Sequence, residues 1–258
     1  MYKLSVIIPA YQRLADVMRC LNTLRRTAVT DVHFHVQDDC SPDVHFPHVI
    51  PPEIATTARN QENAGFPGNC NRGVQHTQSD IICLVNQDIY AAEISHGWDA
   101  AILAAFEDET VGIVGPRLLF PDGSVQNAGG LFDGRYHPYH EYLGWKNANV
   151  EKVMTPRYMD WTTGAVFAVR RWLWDSLGGF DEGYIKGYFE DVDFCLRALE
   201  DGLKTWYEPS ATLYHEVGTT GGNLNFLNNS KRFYEKWVTS GKLEKLVKKQ
   251  PAVRQGWW

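Results

Sequence analysis

Several signatures are missing from this 258-residue chain. No apolar run approaches the ~20 residues that span a bilayer, and the opening MYKLSVIIPAY reads as a strand, not a secretion signal. Cysteine is sparse: Cys20, Cys40, Cys70, Cys83 and Cys195 are odd in number and form no CxxC pair, which fits reduced thiols in the cytosol. Neither GxGxxG nor GxxxxGK(S/T) occurs, which speaks against a dinucleotide dehydrogenase and a P-loop NTPase. Positive charge is short as well, and a formal net charge of −6 argues against a general nucleic-acid binder. No internal repeat, low-complexity linker or second hydrophobic core is visible.

What is present suffices for a full core. At 44% hydrophobic, the chain fits one large domain or two small ones. Residues 3–9, 32–37, 80–85 and 111–114 are short apolar runs suited to buried strands. Helical spacing occupies 12–26 (Leu14, Val17, Met18, Leu21, Leu24), 67–77 and 94–107. This alternation with short connections indicates a doubly wound α/β sheet, whose ligands bind beyond the carboxyl ends of the strands. Asp38, Asp39 and Asp88 fall there. After Gly115, turn signals at 121–124, 129–130 and 132–135 suggest a hairpin-rich insertion. Strands at 165–170, 204–207 and 211–214, and helices at 172–177 and 223–239, follow.

The densest chemistry lies in GYFEDVDFCLR, 187–197. On a helix, Asp191, Phe194, Cys195 and Ala198 share one side, and Glu190, Asp193 and Arg197 another. Carboxylates against an apolar wall take raised pKa values and act as bases. The same residues also suit a helix N-terminus, with Asp193 paired to Arg197. Asn86 and Asp88 point the same way at a strand end and supply part of an oxygen set for Mg²⁺ or Mn²⁺, or an ordinary Asx turn. His215, after a strand, offers an imidazole ligand or a plain structural histidine. Asp38 and Asp39 suit hydrogen bonds from a nucleobase or ribose, or the turn chemistry of DDCSPD. NAGFPGNCNRG (63–73) enters a helix with small residues, allowing close backbone approach and anion binding at the helix N-terminus.

Taken in order, SVIIPAY (5–11), DDCSPD (38–43), ENAGFPGNCNRG (62–73), LVNQD (84–88), TGAVFAVRR (163–171), GGFDE (178–182) and EDVDFCLR (190–197) closely resemble family 2 glycosyltransferases. The similarity is greatest to the rhamnosyltransferase-like branch that builds bacterial surface polysaccharides, and it covers about residues 3 to 218. The resemblance implies the GT-A fold, a Rossmann-like mixed sheet flanked by helices. It also implies a nucleotide-diphosphate-sugar donor (dTDP-rhamnose first, then a UDP-hexose), Mn²⁺ or Mg²⁺ as cofactor, a glycan or lipid-linked acceptor, and inversion at the anomeric carbon.

Carried residue by residue, the resemblance makes Pro9, Ala10 and Tyr11 the lining of the nucleotide pocket. Asp38 hydrogen-bonds the pyrimidine with Asp39 nearby, and Asn63, Gly65, Asn71 and Arg72 frame base and ribose. Asn86 and Asp88 occupy the DxD-type motif, with Asp88 the main metal ligand and His215 completing the site. Trp161, Thr163, Gly164 and Ala165 shape the sugar and acceptor pocket. Asp191 is the general base, and Glu190 orients donor or acceptor. One departure stands out: Asn86 is an amide where the first DxD carboxylate is expected.

Residues 1–222 are thus expected as one catalytic domain, with a nucleotide-sugar half to 115 and an acceptor half after it. Residues 223–258 form a helical basic extension. From Lys231 to Trp258, eight Lys/Arg face two Glu, a local +6 that leaves −12 on the first 230 residues. Lys236, Trp237, Lys242, Lys245, Lys248, Lys249, Arg254, Trp257 and Trp258 suit an anionic membrane surface carrying a lipid-linked acceptor, or equally a solvated end or a homo-oligomer contact. The expected location is cytoplasmic, peripheral to the inner face of the membrane. A sugar nucleotidyltransferase needs a glycine-rich, cationic loop after the first strand, which PAYQR does not supply. A catalytically silent nucleotide-sugar-binding relative stays as the second reading.

Overall fold

The computed structural model describes residues 2–43, 46–216 and 225–247. Strand β1 (Leu4–Ala10) is buried along its whole length, and its alternate residues serve two layers. Val6 and Ile8 share one core with Val17, Leu21 and Leu24 of α1 (Leu14–Thr27); Ile7 belongs to the other, with Cys70 and Val74 of α2 (Gly65–Val74). A strand apolar on both faces is what a helix-covered parallel sheet requires. β2 (Val32–Asp38) and β3 (Thr56–Arg59) extend the sheet on one side of β1, and β4 (Ile81–Val85) pairs on the other, all parallel.

The chain continues through β5 (Ile89–Tyr90), α3 (Trp98–Ala105), β6 (Val111–Leu119), β7 (Val125–Asn127), the hairpin β8 (Gly130–Phe132) and β9 (Pro138–His140), α4 (Glu151–Met154) and β10 (Arg157–Met159). β11 (Val166–Arg170) then returns to the centre, antiparallel to both β4 and β6, which makes the sheet mixed. α5 (Arg171–Leu177), α6 (Glu190–Glu200), β12 (Lys204–His215), α7 (Phe226–Phe233), a π-helical turn (Tyr234–Thr239) and α8 (Lys242–Leu246) follow. The main path is β10-β12-β6-β11-β4-β1-β2-β3, with β5 on β12 and β7 on β6.

Several expected boundaries move, each for a local reason. The strands read at 204–207 and 211–214 are one strand, β12, whose register against β6 shifts between Glu208 and Thr212. Pro209, which has no N–H to donate, lies inside that shift. The helix read at 94–107 is interrupted by Gly97 (φ 79°), so α3 starts only at Trp98. β3 escapes the sequence reading because TTAR is short and only half-buried. The apolar interior is also not one mass: Leu119, Val125, Ala128, Val153, Met159 and Tyr207 form a third, smaller cluster at the hairpin region.

The basic C-terminal segment requires a correction. Phe233, Trp237 and Leu243 are fully buried in the same layer as Val192 and Leu196 of α6. Trp237 Nε1 donates to Asp193 Oδ1 (2.7 Å), and Lys236 Nζ lies 2.7 Å from that oxygen. Trp237 therefore cannot face a membrane, and Lys236, 31% exposed, is tied to the interior by its charge. Lys242 pairs with Glu200 (3.1 Å), and Lys245 is exposed. Lys248, Lys249, Arg254, Trp257 and Trp258 lie outside the described residues. No helix among the described residues is long and apolar enough to cross a membrane.

Candidate active site

The carboxyl ends of β1, β2 and β4 lie side by side, with Pro9 opposite Gln37 and Ala10 opposite Asp38. Just beyond, the buried side chain of Gln87 clamps Tyr11: Oε1 accepts its N–H (2.8 Å) and Nε2 donates to its carbonyl (3.3 Å). Tyr11 stays 39% exposed beside these strand ends.

The aspartates beside it are already engaged. Asp38 is fully buried; one oxygen accepts from Ser41, and the other pairs with the Arg59 guanidinium. Asp39 accepts from Asn60 Nδ2 (2.8 Å) and from the amides of Ala64 (2.7 Å) and Gly65 (3.0 Å). Burial raises its pKa, and those bonds oppose the rise. The N-terminus of α2 thus holds an internal carboxylate, where the sequence suggested an external anion. The glycines there serve packing: a Cβ on Gly65 (φ 72°) would lie 3.0 Å from the Lys186 backbone. Asn63 donates to the Asp39 carbonyl (3.2 Å). Asn71 is turned toward another loop, exchanging two hydrogen bonds with the Phe180 backbone (2.9 Å each) and donating to Glu182. Arg72 is half-buried, and its Nη1 has no hydrogen-bond partner among the described residues.

β5 brings the next pair together. Ile89 sits opposite His215 in the β5–β12 ladder, leaving Asp88 Oδ1 3.2 Å from His215 Nε2. His215 Nδ1 is buried without a partner among the described residues. The following residue, Glu216, is held to α1 by Arg19 (2.7 Å).

A short segment joins this strand end to the acid pair. The Asn86 N–H donates to the Ala165 carbonyl (2.8 Å), the Ala165 N–H to Thr163 Oγ1 (3.2 Å), and the Gly164 N–H to Asp191 Oδ2 (2.7 Å). Asp191 Oδ1 also accepts from the Val192 N–H (2.8 Å). Partial burial raises the Asp191 pKa despite these bonds. Glu190 is 4% exposed, its Oε2 without a partner among the described residues; burial first, then the charge of Asp191, drives its pKa well above its ordinary value. Asp193 has the structural role: it collects Tyr184, Arg197, Lys236 and Trp237.

The family model described as "Glycosyl transferase family 2" matches residues 5–165, more than half of the chain. The chain belongs to glycosyl transferase family 2. Among curated relatives, the N-acetylglucosaminyl-diphospho-decaprenol L-rhamnosyltransferase of Mycobacterium tuberculosis is 34% identical over 134 residues, covering 48% of this chain and 43% of its own length. The chain spans less than half the length of the curated relatives it matches. Among solved structures it is similar to GalNAc-T7 with UDP, GalNAc and Mn²⁺ (TM-score 0.73, 17% identity, 92% of this chain, 48% of that one). It is also similar to the mannosyltransferase PcManGT of Pyrobaculum calidifontis with GDP-Man and Mn²⁺ (TM-score 0.60, 18% identity, 85% and 58%). These likenesses establish the GT-A fold.

Within this family 2 chain, Trp161, expected from sequence in the sugar and acceptor pocket, precedes the Thr163–Ala165 segment that meets Asp191. Trp161 is only 4% exposed; its ring packs on Gly130, where a Cβ would fall 2.1 Å from it, and Nε1 donates to the Leu131 carbonyl (3.1 Å). Two neighbours escaped the sequence reading. His140 sits 4.8 Å from the Trp161 ring with Nδ1 3.1 Å from Asn127 Oδ1, and burial, then nearby His215, lowers its pKa to about 4. Asp160, whose Oδ2 has no partner among the described residues, is pushed by burial to about 6. Both sit at or beside three-residue strands, too short for any periodic signal.

Proposed function

We propose that this chain is an inverting glycosyltransferase, moving a sugar from a nucleoside-diphosphate donor to a hydroxyl of a glycan or lipid-linked acceptor in surface-polysaccharide synthesis. dTDP-rhamnose is the first donor candidate and a UDP-hexose the second, a preference supported by similarity to a rhamnosyltransferase. The observation that carries the reading is Asp191: a half-buried carboxylate in the first turn of α6, fixed by the Gly164 amide and raised in pKa by burial. A carboxylate so placed suits a general base.

Asp191 takes the proton of the acceptor hydroxyl as its oxygen bonds to the anomeric carbon. The bond from that carbon to the diphosphate breaks on the opposite face, and the electron pair leaves with the diphosphate. Glu190, neutral in its apolar site, orients the reacting sugars by donating a hydrogen bond. Tyr11, Arg72 and the Asn63–Gly65 loop hold the nucleotide end, the unpartnered Arg72 Nη1 offering a donor to an anion.

Asp88 and His215 fit a divalent cation such as Mn²⁺ or Mg²⁺. They provide one carboxylate and one imidazole in contact, with Asn86 on the same strand end. Among the described residues no group of three His, Cys, Asp or Glu is placed to hold a metal, which leaves positions for phosphate oxygens and water. A bound ion supplies Lewis-acid neutralisation of charge on the diphosphate.

The test is a screen of nucleotide-sugars for release of free nucleoside diphosphate with Mn²⁺ or Mg²⁺. One donor should turn over, EDTA should stop it, and Asp191→Asn should lower it ~10²–10⁴-fold. Near-normal turnover in folded Asp191→Asn sinks the base assignment. Full activity after exhaustive chelation removes the metal, and silence toward every donor favours a non-catalytic binding relative.

A further inference from the structure

The four residues before the acid pair adopt a conformation that side chains rarely take. Lys186, Gly187, Tyr188 and Phe189 have φ of 61°, 116°, 75° and 75°. Such a run persists only where its surroundings over-determine it.

One side chain grips its start. Asn229 of α7 is 1% exposed; its Oδ1 accepts the Ile185 N–H (3.1 Å), and Nδ2 donates to the carbonyls of Ile185 (3.0 Å) and Gly187 (2.6 Å). A primary amide provides this acceptor with two donors on a short stem. The same helix holds the end of the run through rings: Phe226 meets Tyr188 (5.6 Å) and Phe189 (5.5 Å), and Phe233 stacks on Phe189 (5.2 Å). The Phe189 carbonyl accepts the Asp193 N–H (2.8 Å), so the run passes directly into the first turn of α6.

We propose that Asn229 is a positioning residue: it fixes residues 185–189 in the conformation that aims Glu190 and Asp191. The segment after β12 therefore completes the site from outside the region matched by the family model. Only the turnover arm of the test rests on the glycosyltransferase reading.

The test uses the full chain with Asn229→Ala and the isosteric Asn229→Asp, which keeps an acceptor for the Ile185 N–H but replaces the doubly donating Nδ2 with one oxygen facing both carbonyls. Lys186 is exposed, so tryptic cleavage after it, followed by mass spectrometry, reports loop opening directly. Each folded variant should be cut there at least about tenfold faster than wild type, with cleavage elsewhere unchanged. Its kcat should fall at least about tenfold while the donor KM stays within about twofold. Unchanged cleavage in a folded variant overturns the clamp, and faster cleavage with unchanged kcat overturns the positioning role. If Asn229→Ala does not fold, Asn229→Asp decides. If the wild type turns over no donor, the functional reading falls while the cleavage arm still decides the clamp.

Discussion

Glu190 and Asp191 are adjacent in sequence and opposite in circumstance. Glu190 is buried with one oxygen unpartnered among the described residues, while Asp191 is half-buried and accepts two backbone N–H groups. Two neighbouring carboxylates in low dielectric do not ionise together, and the one with hydrogen bonds to its charged form ionises first. On the proposed reading this order makes Asp191 the base and leaves Glu190 to orient the reacting sugars. Because the base works deprotonated and its pKa is raised, activity should fall on acidification earlier than an ordinary aspartate at ~3.9 allows. A pH profile of kcat/KM checks this, and an acidic limb at or below pH ~4 contradicts it.

At the scale of elements, Asp193 joins α6 to the C-terminal helices. It is fully buried and gathers Arg197 (2.8 Å), Lys236 (2.7 Å), Trp237 (2.7 Å) and Tyr184 (3.1 Å). Asn at this position takes the carboxylate from Arg197 and leaves Lys236 only the more distant Asp181 (3.6 Å), and breaking a buried pair this way costs about 3–5 kcal/mol. Lys236 remains 31% exposed, so the lower end applies. Asp193→Asn should lose about 3 kcal/mol in denaturant unfolding, with an unchanged slope.

The same scale shows what a reader of the sequence can and cannot extract. The apolar runs of β1 and β4 announce themselves, because strands buried on both faces have few alternatives. The Asp193–Arg197 pair follows from helical spacing alone. The N-terminus of α2 misled for a definite reason: its amides are satisfied by Asp39, a residue far away in sequence. Gln87, His140, Asp160 and Asn229 carry no local mark, since their meaning lies in partners brought by strand pairing and helix docking. The membrane-facing reading of Trp237 failed because composition does not reveal which face of a helix is covered.

For the molecule as a whole, acid stability should be set in part by His35. It is 1% exposed, bonded to Thr56 (2.9 Å) and Gln37 (3.0 Å) and stacked on His76 (5.0 Å). Burial lowers its pKa from 6.5 to about 4. The unfolded chain therefore takes up a proton at a pH where the folded chain refuses it. Stability is complete above pH ~6.5 and falls as pH drops toward 4, by up to about 3 kcal/mol. Thermal melts between pH 7.5 and 4.5 should show a shallower decline in His35→Gln than in wild type; parallel curves contradict the assignment.

The placing of β11 has a consequence for synthesis on the ribosome. β4 ends at Val85 and β6 begins at Val111, yet the strand between them starts only at Val166. The centre of the sheet therefore closes only after β5 to β10 have been made. Until Arg170 has emerged, the nascent protein carries bare edges on β4 and β6 that invite foreign partners.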